Sequence, residues 1–177
     1  MIRHRLIMTL IATTFLTAAA SAGPAEQDAA VAPTAAQVAE LEKMCESNAG
    51  DRAARHAEKT LYDRLGKEEG IHKLTDEIVR LHLQNEKIKH MFEGRDNDLV
   101  AQRVAEFMIS GMGGPAVYQD RPSLTESHRD LHLTNDDFLS AGGDVIQAMQ
   151  NLEYGQDEID EVVCALVGLR RMVVLTD

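Results

Sequence analysis

Apolar residues with helical spacing run through the last two-thirds of the chain, and they limit its fold more than any other feature. Ile71, Leu74 and Ile78 recur at intervals of three and four residues, which places them on one face of a helix. A second stripe of the same kind runs from Val100 to Met108. No segment predicts a strand. At 177 residues and 44% hydrophobic, the chain has the length and composition of one all-α domain with a single core.

Two local signals mark where these helices end and begin. The sequence GMGGP, from Gly111 to Pro115, is a strong helix stop. Thr134, with Asp137 three residues later, forms a capping pattern that starts a new helix. Inside that helix, Gly142-Gly143 lowers helix propensity, so we expect close packing there against a neighbour or a ligand.

The N-terminal segment differs from the rest of the chain. Residues 1–22 combine Arg3 and Arg5, an apolar run and a small-residue site at Ala20-Ser21-Ala22, a pattern typical of a secretory signal peptide. A membrane anchor is the alternative, although the apolar run is short for a bilayer span. We therefore predict export to the periplasm with no membrane anchor after cleavage. Residues 23–59 read as an Ala/Pro-rich lead and a helical extension broken near Asn48.

The charge of the exported chain excludes one class of partner. Residues 1–22 contain two arginines and no acidic residue, so 16 of the 18 basic residues remain against 29 acidic ones, a net charge of −13. A nucleic acid would be repelled by such a surface. We expect no nucleic-acid binding.

The two cysteines, Cys45 and Cys164, leave two possibilities open. Export would place them where a disulfide persists, and such a bridge would staple the extension to the last helix. Two free buried thiols are the alternative. Neither cysteine lies in a CxxC or CxxCH motif, so thioredoxin-like chemistry and thioether attachment of haem lack support.

The stretch TESHRDLHLTNDDF holds two histidines four residues apart, His128 and His132. On one continuous helix these imidazoles would share a face and could share a metal. Because Thr134 already caps the next helix, the helix is expected to break before His132. The pair also lacks a nearby third ligand, so a shared metal site is a weak interpretation.

Four motifs in order resemble the truncated haemoglobins, most closely their group I. They are LYDRLGKEEGI, HMFEG, GGPAVY and HRDLHLTNDDF, and the resemblance covers about Tyr62 to Val174. The resemblance implies a truncated globin fold, a 2-over-2 helical sandwich, over residues 60–177, preceded by the helical extension.

The resemblance also implies a cofactor and its ligands. His128 falls on the proximal haem ligand and Phe92 on the residue that stacks against the porphyrin, which implies non-covalent haem b. Group I members commonly carry a Tyr and a Gln that hydrogen-bond O2, whereas the aligned positions here are Val79, Val100 and Val104. Without a distal donor, O2 should leave faster, while CO or NO should lose less.

Three questions stay open on the sequence alone. His82, one turn after Val79, or His90, two residues before Phe92, could act as a distal ligand to the iron. The same haem could instead serve an enzyme for NO detoxification or peroxide chemistry, which would need an external redox partner. A haem-free helical binding module is the remaining alternative to a protein that reversibly binds O2, NO or CO.

Overall fold

The computed structural model describes residues 32–175, and every regular element within them is helical, as predicted. The signal-peptide prediction for residues 1–22 lies outside the described residues. The helices of the described part are α1 (Ala32–Ser47), α2 (Ala49–Glu58), α3 (Leu61–Arg64), α4 (Lys67–His82), α5 (Asn97–Gly111), α6 (Leu124–His128), α7 (Asn135–Asn151) and α8 (Gln156–Val173). Short 3-10 turns lie at Lys89–Phe92 and Arg129–Leu131. Within residues 32–175, no helix is both long enough and apolar enough to cross a membrane.

Side chains that accept hydrogen bonds fix the starts of several helices. Asp96 accepts the amide of Leu99 at 3.0 Å and starts α5. Thr134 and Asp137 exchange the two hydrogen bonds of a capping box at the start of α7. Each of these bonds satisfies an amide that lacks a partner in the first turn of a helix. The capping pattern predicted at Thr134 is therefore confirmed.

The core lies where α4 packs against α5 and α7, and α7 packs against α8. Ile71, Leu74 and Ile78, the stripe predicted from spacing, are at most 5% exposed. The side chains most fully enclosed with them are Leu65, Met149 and Val162. Each such aliphatic side chain contributes roughly 1.5–3 kcal/mol through burial, so the apolar stripes hold the domain together.

The GGP segment after α5 packs tightly against Thr60 and Tyr62 at α3. Gly113 has φ +91°, in the left-handed region that glycine enters without strain. A Cβ on Gly114 would lie 2.6 Å from Cδ2 of Tyr62 and 2.7 Å from the carbonyl oxygen of Ile109, so no larger residue fits unless the ring and the backbone both move. The amide of Tyr62 also donates to the carbonyl of Met112 at 2.9 Å. The helix stop thus closes α5 against α3.

The N-terminal extension breaks at Asn48, as expected, and α1 packs on α7 and α8. A disulfide joins Cys45 of α1 to Cys164 of α8, across 119 residues of sequence. This settles the choice left open by the sequence in favour of the bridge. It staples the extension onto the last helix.

Charged residues also join the extension to the domain. Glu161 of α8 is 6% exposed and accepts hydrogen bonds from Arg55 of α2, at 2.8 Å, and from Arg64 of α3. Arg64 also reaches Glu158 at 2.7 Å. Two guanidinium groups compensate the buried carboxylate, which would otherwise be costly to enclose.

Close packing of Gly142-Gly143 was expected against a neighbour or a ligand, and the first of these alternatives is wrong. A Cβ added at either glycine would meet no protein atom within 4 Å. Close packing against a neighbouring residue therefore does not explain these glycines. Their cost to helix propensity is offset by the capping box and the buried residues Val145, Ala148 and Met149 of the same helix.

Candidate functional site

His128 is the last residue of α6, a helix of five residues, and its imidazole is half-buried. Its Nδ1 lies 2.8 Å from the carbonyl oxygen of Leu124, one turn earlier, and 3.1 Å from Oγ of Ser127. A carbonyl can only accept, so Nδ1 carries the proton and donates it. In the neutral ring, Nε2 then keeps the lone pair with which imidazole binds a metal.

A capping box holds the helix that carries His128. Oε2 of Glu126 accepts from the amide and the hydroxyl of Ser123, each at 2.8 Å, while Oγ of Ser123 accepts the amide of Glu126 at 3.2 Å. The backbone and hydroxyl hydrogen bonds from Ser123 lower the pKa of Glu126. So short a helix is marginal alone, and the box stabilises it.

His132 does not share a helical face with His128. The chain leaves α6 through the 3-10 turn Arg129–Leu131 and enters the left-handed region at His132, with φ +49° and an exposed side chain. The predicted break in the helix is confirmed. Among the described residues, no group of three or more His, Cys, Asp or Glu side chains could hold a metal.

The predicted distal positions are aliphatic and lie on two helices that pack together. Val79 of α4 is buried at 6% exposure, while Val100 and Val104 are half-buried and one turn apart on α5. Phe92 lies in the 3-10 turn between these helices and is also half-buried. These side chains can exclude water, and none of the four can donate a hydrogen bond from its side chain.

The structure brings His82 and Phe92 together and leaves His90 exposed. The ring centroids of His82 and Phe92 are 5.3 Å apart. Nδ1 of His82 lies 2.8 Å from Oδ2 of Asp144 on α7. Burial lowers the pKa of His82, and the hydrogen bond and charge of Asp144 oppose this shift less strongly. His82 is therefore neutral near pH 7, with Nδ1–H donated to the carboxylate.

Sequence reasoning missed Asp144, together with Asn85 and Ser140, which join it. Nδ2 of Asn85 donates to Oδ2 of Asp144 at 2.8 Å and to Oγ of Ser140 at 3.0 Å. A signal was present, because Asp144 follows Ala141 by three residues and precedes Ala148 by four, on the core-facing side of α7. A carboxylate in such a stripe indicates a buried partner.

The family model described as "Bacterial-like globin" matches residues 60–174 of the chain. Among similar proteins, a group 1 truncated hemoglobin of Tetrahymena thermophila is 24% identical over 112 residues, covering 63% of this chain and 92% of that protein. One from Synechocystis is 28% identical over 109 residues, covering 58% and 86%. One from Tetrahymena pyriformis is 29% identical over 76 residues, covering 43% of this chain and 62% of that protein. The chain therefore aligns with less than two-thirds of that last relative.

Solved structures show the same architecture. The Fe(III) form of the Tetrahymena pyriformis truncated hemoglobin superposes with a TM-score of 0.61 at 23% identity, covering 66% of this chain and 98% of that one. The 2/2 hemoglobin of Synechococcus sp. PCC 7002, described as cyanomet with covalently attached heme, gives 0.61 at 27% identity, covering 66% and 99%. The expected 2-over-2 helical fold is confirmed.

Proposed function

Because the chain belongs to the bacterial-like globins, and among them to the truncated haemoglobins, a haem-binding family, we propose that His128 holds the iron of haem b. Globins bind diatomic gases such as O2, and we assign the binding of O2, NO or CO to the face opposite His128. One observation supports this assignment most. The hydrogen bond from Nδ1 of His128 to Leu124 leaves Nε2 as a free, oriented lone pair.

The residues at the predicted positions fit a flat, mostly apolar macrocycle. Phe92, Val100 and Val104 are half-buried apolar side chains, suited to contact a porphyrin while excluding water. Bound haem would supply an iron atom that can bind a gas. The chain itself would supply a nitrogen from His128 to hold the iron, an apolar face and a dry environment.

An apolar distal side favours gases that need no hydrogen bond. O2 held by iron carries partial negative charge, and a distal donor stabilises it by about 1–3 kcal/mol. With valine at positions 79, 100 and 104, O2 loses that stabilisation, whereas CO and NO are affected less. We therefore expect fast O2 release relative to globins that have a polar distal residue.

Titration with haemin tests the assignment of His128. The wild-type protein should develop a Soret band that saturates at one haem per chain, and His128→Ala should shift or greatly weaken it. His132→Ala is the matched control, because this neighbouring histidine is exposed and lies beyond the turn. A wild-type protein without a Soret band would exclude haem binding, and an unchanged band in His128→Ala would exclude His128 as the ligand.

We propose that the haem is held without a covalent bond. Both cysteines of the chain form the disulfide, and neither lies in a CxxCH motif, so no thiol remains to attach a vinyl group. Extraction with acidified butanone should move all haem into the organic phase. Haem that stays with the protein would show a covalent link through a residue other than cysteine; the Synechococcus structure is described as having covalently attached heme.

The periplasm is the proposed location. The signal-peptide pattern of residues 1–22 and a disulfide that persists under oxidising conditions both support it. N-terminal sequencing of protein from a periplasmic fraction should read Gly23-Pro24 as the first residues. Full-length chain recovered from the membrane fraction would favour the anchor instead.

A further inference from the structure

A hydrogen-bonded cluster of four residues lies between the end of α4 and the middle of α7. Its members are His82, Asn85, Ser140 and Asp144, and we refer to them as the His82 cluster. The side chain of His82 is 12% exposed and that of Asp144 is 18% exposed, so water competes little for these bonds. Because low polarity strengthens hydrogen bonds, the cluster holds its members in one geometry.

Asp144 determines the orientation of the His82 ring. Its Oδ2 accepts Nδ1–H of His82 at 2.8 Å and also accepts Nδ2–H of Asn85 at 2.8 Å. Asn85 in turn donates to Ser140 at 3.0 Å. Asp144 of α7 is thus bonded to His82 of α4 and to Asn85 in the turn after α4. The imidazole cannot rotate without breaking its hydrogen bond to Asp144.

The His82 ring lies beside the ring of Phe92. The two centroids are 5.3 Å apart and the planes are inclined by 37°. Phe92 is the last residue of a four-residue 3-10 turn that contains no buried residue, whereas Ile88, which precedes the turn, is 2% exposed and anchors its start. A buried ring held by a carboxylate is therefore a firm contact for the side chain at the other end of the turn.

We propose that His82, oriented by Asp144, is a positioning residue that fixes Phe92 against the haem. The proposal rests on the function proposed above. It gives His82 a role other than the distal iron ligand considered from the sequence. Tight haem retention then depends on the chain of contacts from Asp144 through His82 to Phe92.

Four variants of the mature protein separate the steps of this chain. His82→Leu places an apolar side chain at this position but removes the hydrogen bond to Asp144. Asp144→Leu removes the acceptor of that bond. Asp144→Asn keeps an oxygen that can accept Nδ1–H. His90→Leu changes an exposed histidine near Phe92 in sequence and serves as the control.

The rate of haem transfer to excess apomyoglobin measures retention. His82→Leu and Asp144→Leu should each lose haem about tenfold faster, roughly the effect of one net hydrogen bond. Asp144→Asn should stay within about twofold of wild type, as should His90→Leu. Equal rates in wild type and His82→Leu would overturn the proposal, as would a defect in Asp144→Asn as large as that in Asp144→Leu.

A second measurement does not require haem. With 13C-labelled phenylalanine, the Phe92 signals of the haem-free protein should shift in His82→Leu and Asp144→Leu and remain in place in Asp144→Asn and His90→Leu. Unmoved Phe92 signals would refute the contact, whatever the haem result. If the variants show these shifts but the wild-type protein binds no haem, the contact stands and the proposed function is refuted.

The haem spectrum tests the competing role of His82. A six-coordinate low-spin spectrum in wild type that becomes high-spin in His82→Leu would make His82 an iron ligand and would overturn the positioning role. The same spin state in both proteins, together with faster haem loss from the variant, is the expected result.

Discussion

The two sides of the proposed haem site are built on opposite principles. On the His128 side, hydrogen bonds fix the position of the ligand: the Ser123–Glu126 capping box holds the helix, and the Leu124 carbonyl orients the imidazole. On the opposite side, the predicted positions are filled by Val79, Val100 and Val104. An axial ligand needs direction, which hydrogen bonds give, whereas an apolar wall needs only shape and dryness.

This difference teaches where selectivity should arise. If the proposed function holds, the His128 side would determine whether the iron is held, since its hydrogen bonds are directional. The valine side would determine which gases stay bound, because it lacks the donor that would favour O2. Variants on the His128 side should therefore change haem retention and leave gas selectivity nearly unchanged. Variants on the valine side should do the reverse.

The largest expected effect is on stability and comes from the disulfide, which lies outside the proposed haem site. It tests whether the site depends on the N-terminal extension. Removing the Cys45–Cys164 bridge with the double variant Cys45→Ser/Cys164→Ser should lower the free energy of unfolding by about 4–5 kcal/mol, because it frees a long loop in the unfolded chain. Urea unfolding measures this loss. Haem transfer and gas release from the folded variant should change less than about twofold; larger changes would show that the extension supports the site.

Next in size is the effect of adding a donor to the apolar side. Val100→Gln places an amide at a half-buried position and should slow O2 dissociation by about tenfold to a hundredfold, the equivalent of roughly 1.4–2.8 kcal/mol. CO dissociation should change much less. Stopped-flow displacement measures both rates, and Val100→Leu is the apolar control. Equal slowing of O2 and CO would show altered access rather than a new hydrogen bond.

Weakening the helix that carries His128 should have a smaller effect. Ser123→Ala removes the cap of α6 and should cost about 1 kcal/mol, part of which should appear as haem loss a few times faster. Thr134→Ala removes the matching cap of α7 and is the control. Its loss of stability should be similar, but its haem transfer rate should stay near that of wild type. Equal acceleration in both variants would contradict a specific role for the Ser123 box.

The smallest predicted effect is a dependence of stability on pH. Burial lowers the pKa of His82 below its ordinary value of 6.5, so between these two pKa values the unfolded chain binds more protons than the folded one. The contribution of His82 is therefore complete above pH 6.5 and is lost as the pH falls through the folded pKa. His82→Gln should flatten the curve of unfolding free energy against pH in that range. A slope in His82→Gln equal to that of wild type would contradict this prediction.

Local sequence signals predicted much of the fold and of the His128 side of the site. Apolar spacing predicted α4 and α5, and the cap at Thr134 was predicted from side-chain type, because such signals depend on residues within one turn. The break before His132 followed from the same reasoning. The resemblance of the four motifs, in turn, anticipated the globin fold that the comparisons confirm.

Contacts between distant segments could not be predicted in the same way. Asp144 meets His82 across 62 residues, and Glu161 meets Arg55 across 106. Such pairs depend on how helices cross, which no local pattern specifies. The cysteines show the limit well, because composition allowed the Cys45–Cys164 bridge but did not decide it. Gly142-Gly143 shows the converse, where a local rule predicted close packing against a neighbour or a ligand and no neighbouring residue provides it.

The most direct test of the central claim replaces the His128 side chain with a free ligand. His128→Gly removes the imidazole, and added imidazole can then bind the iron in its place. The account predicts that the variant regains the wild-type Soret band with imidazole, and that 15N-labelled imidazole shifts the iron–nitrogen stretching band in resonance Raman spectra of the ferrous protein. A His128→Gly protein that keeps an iron–histidine band without imidazole would contradict the account, because another residue would then hold the iron.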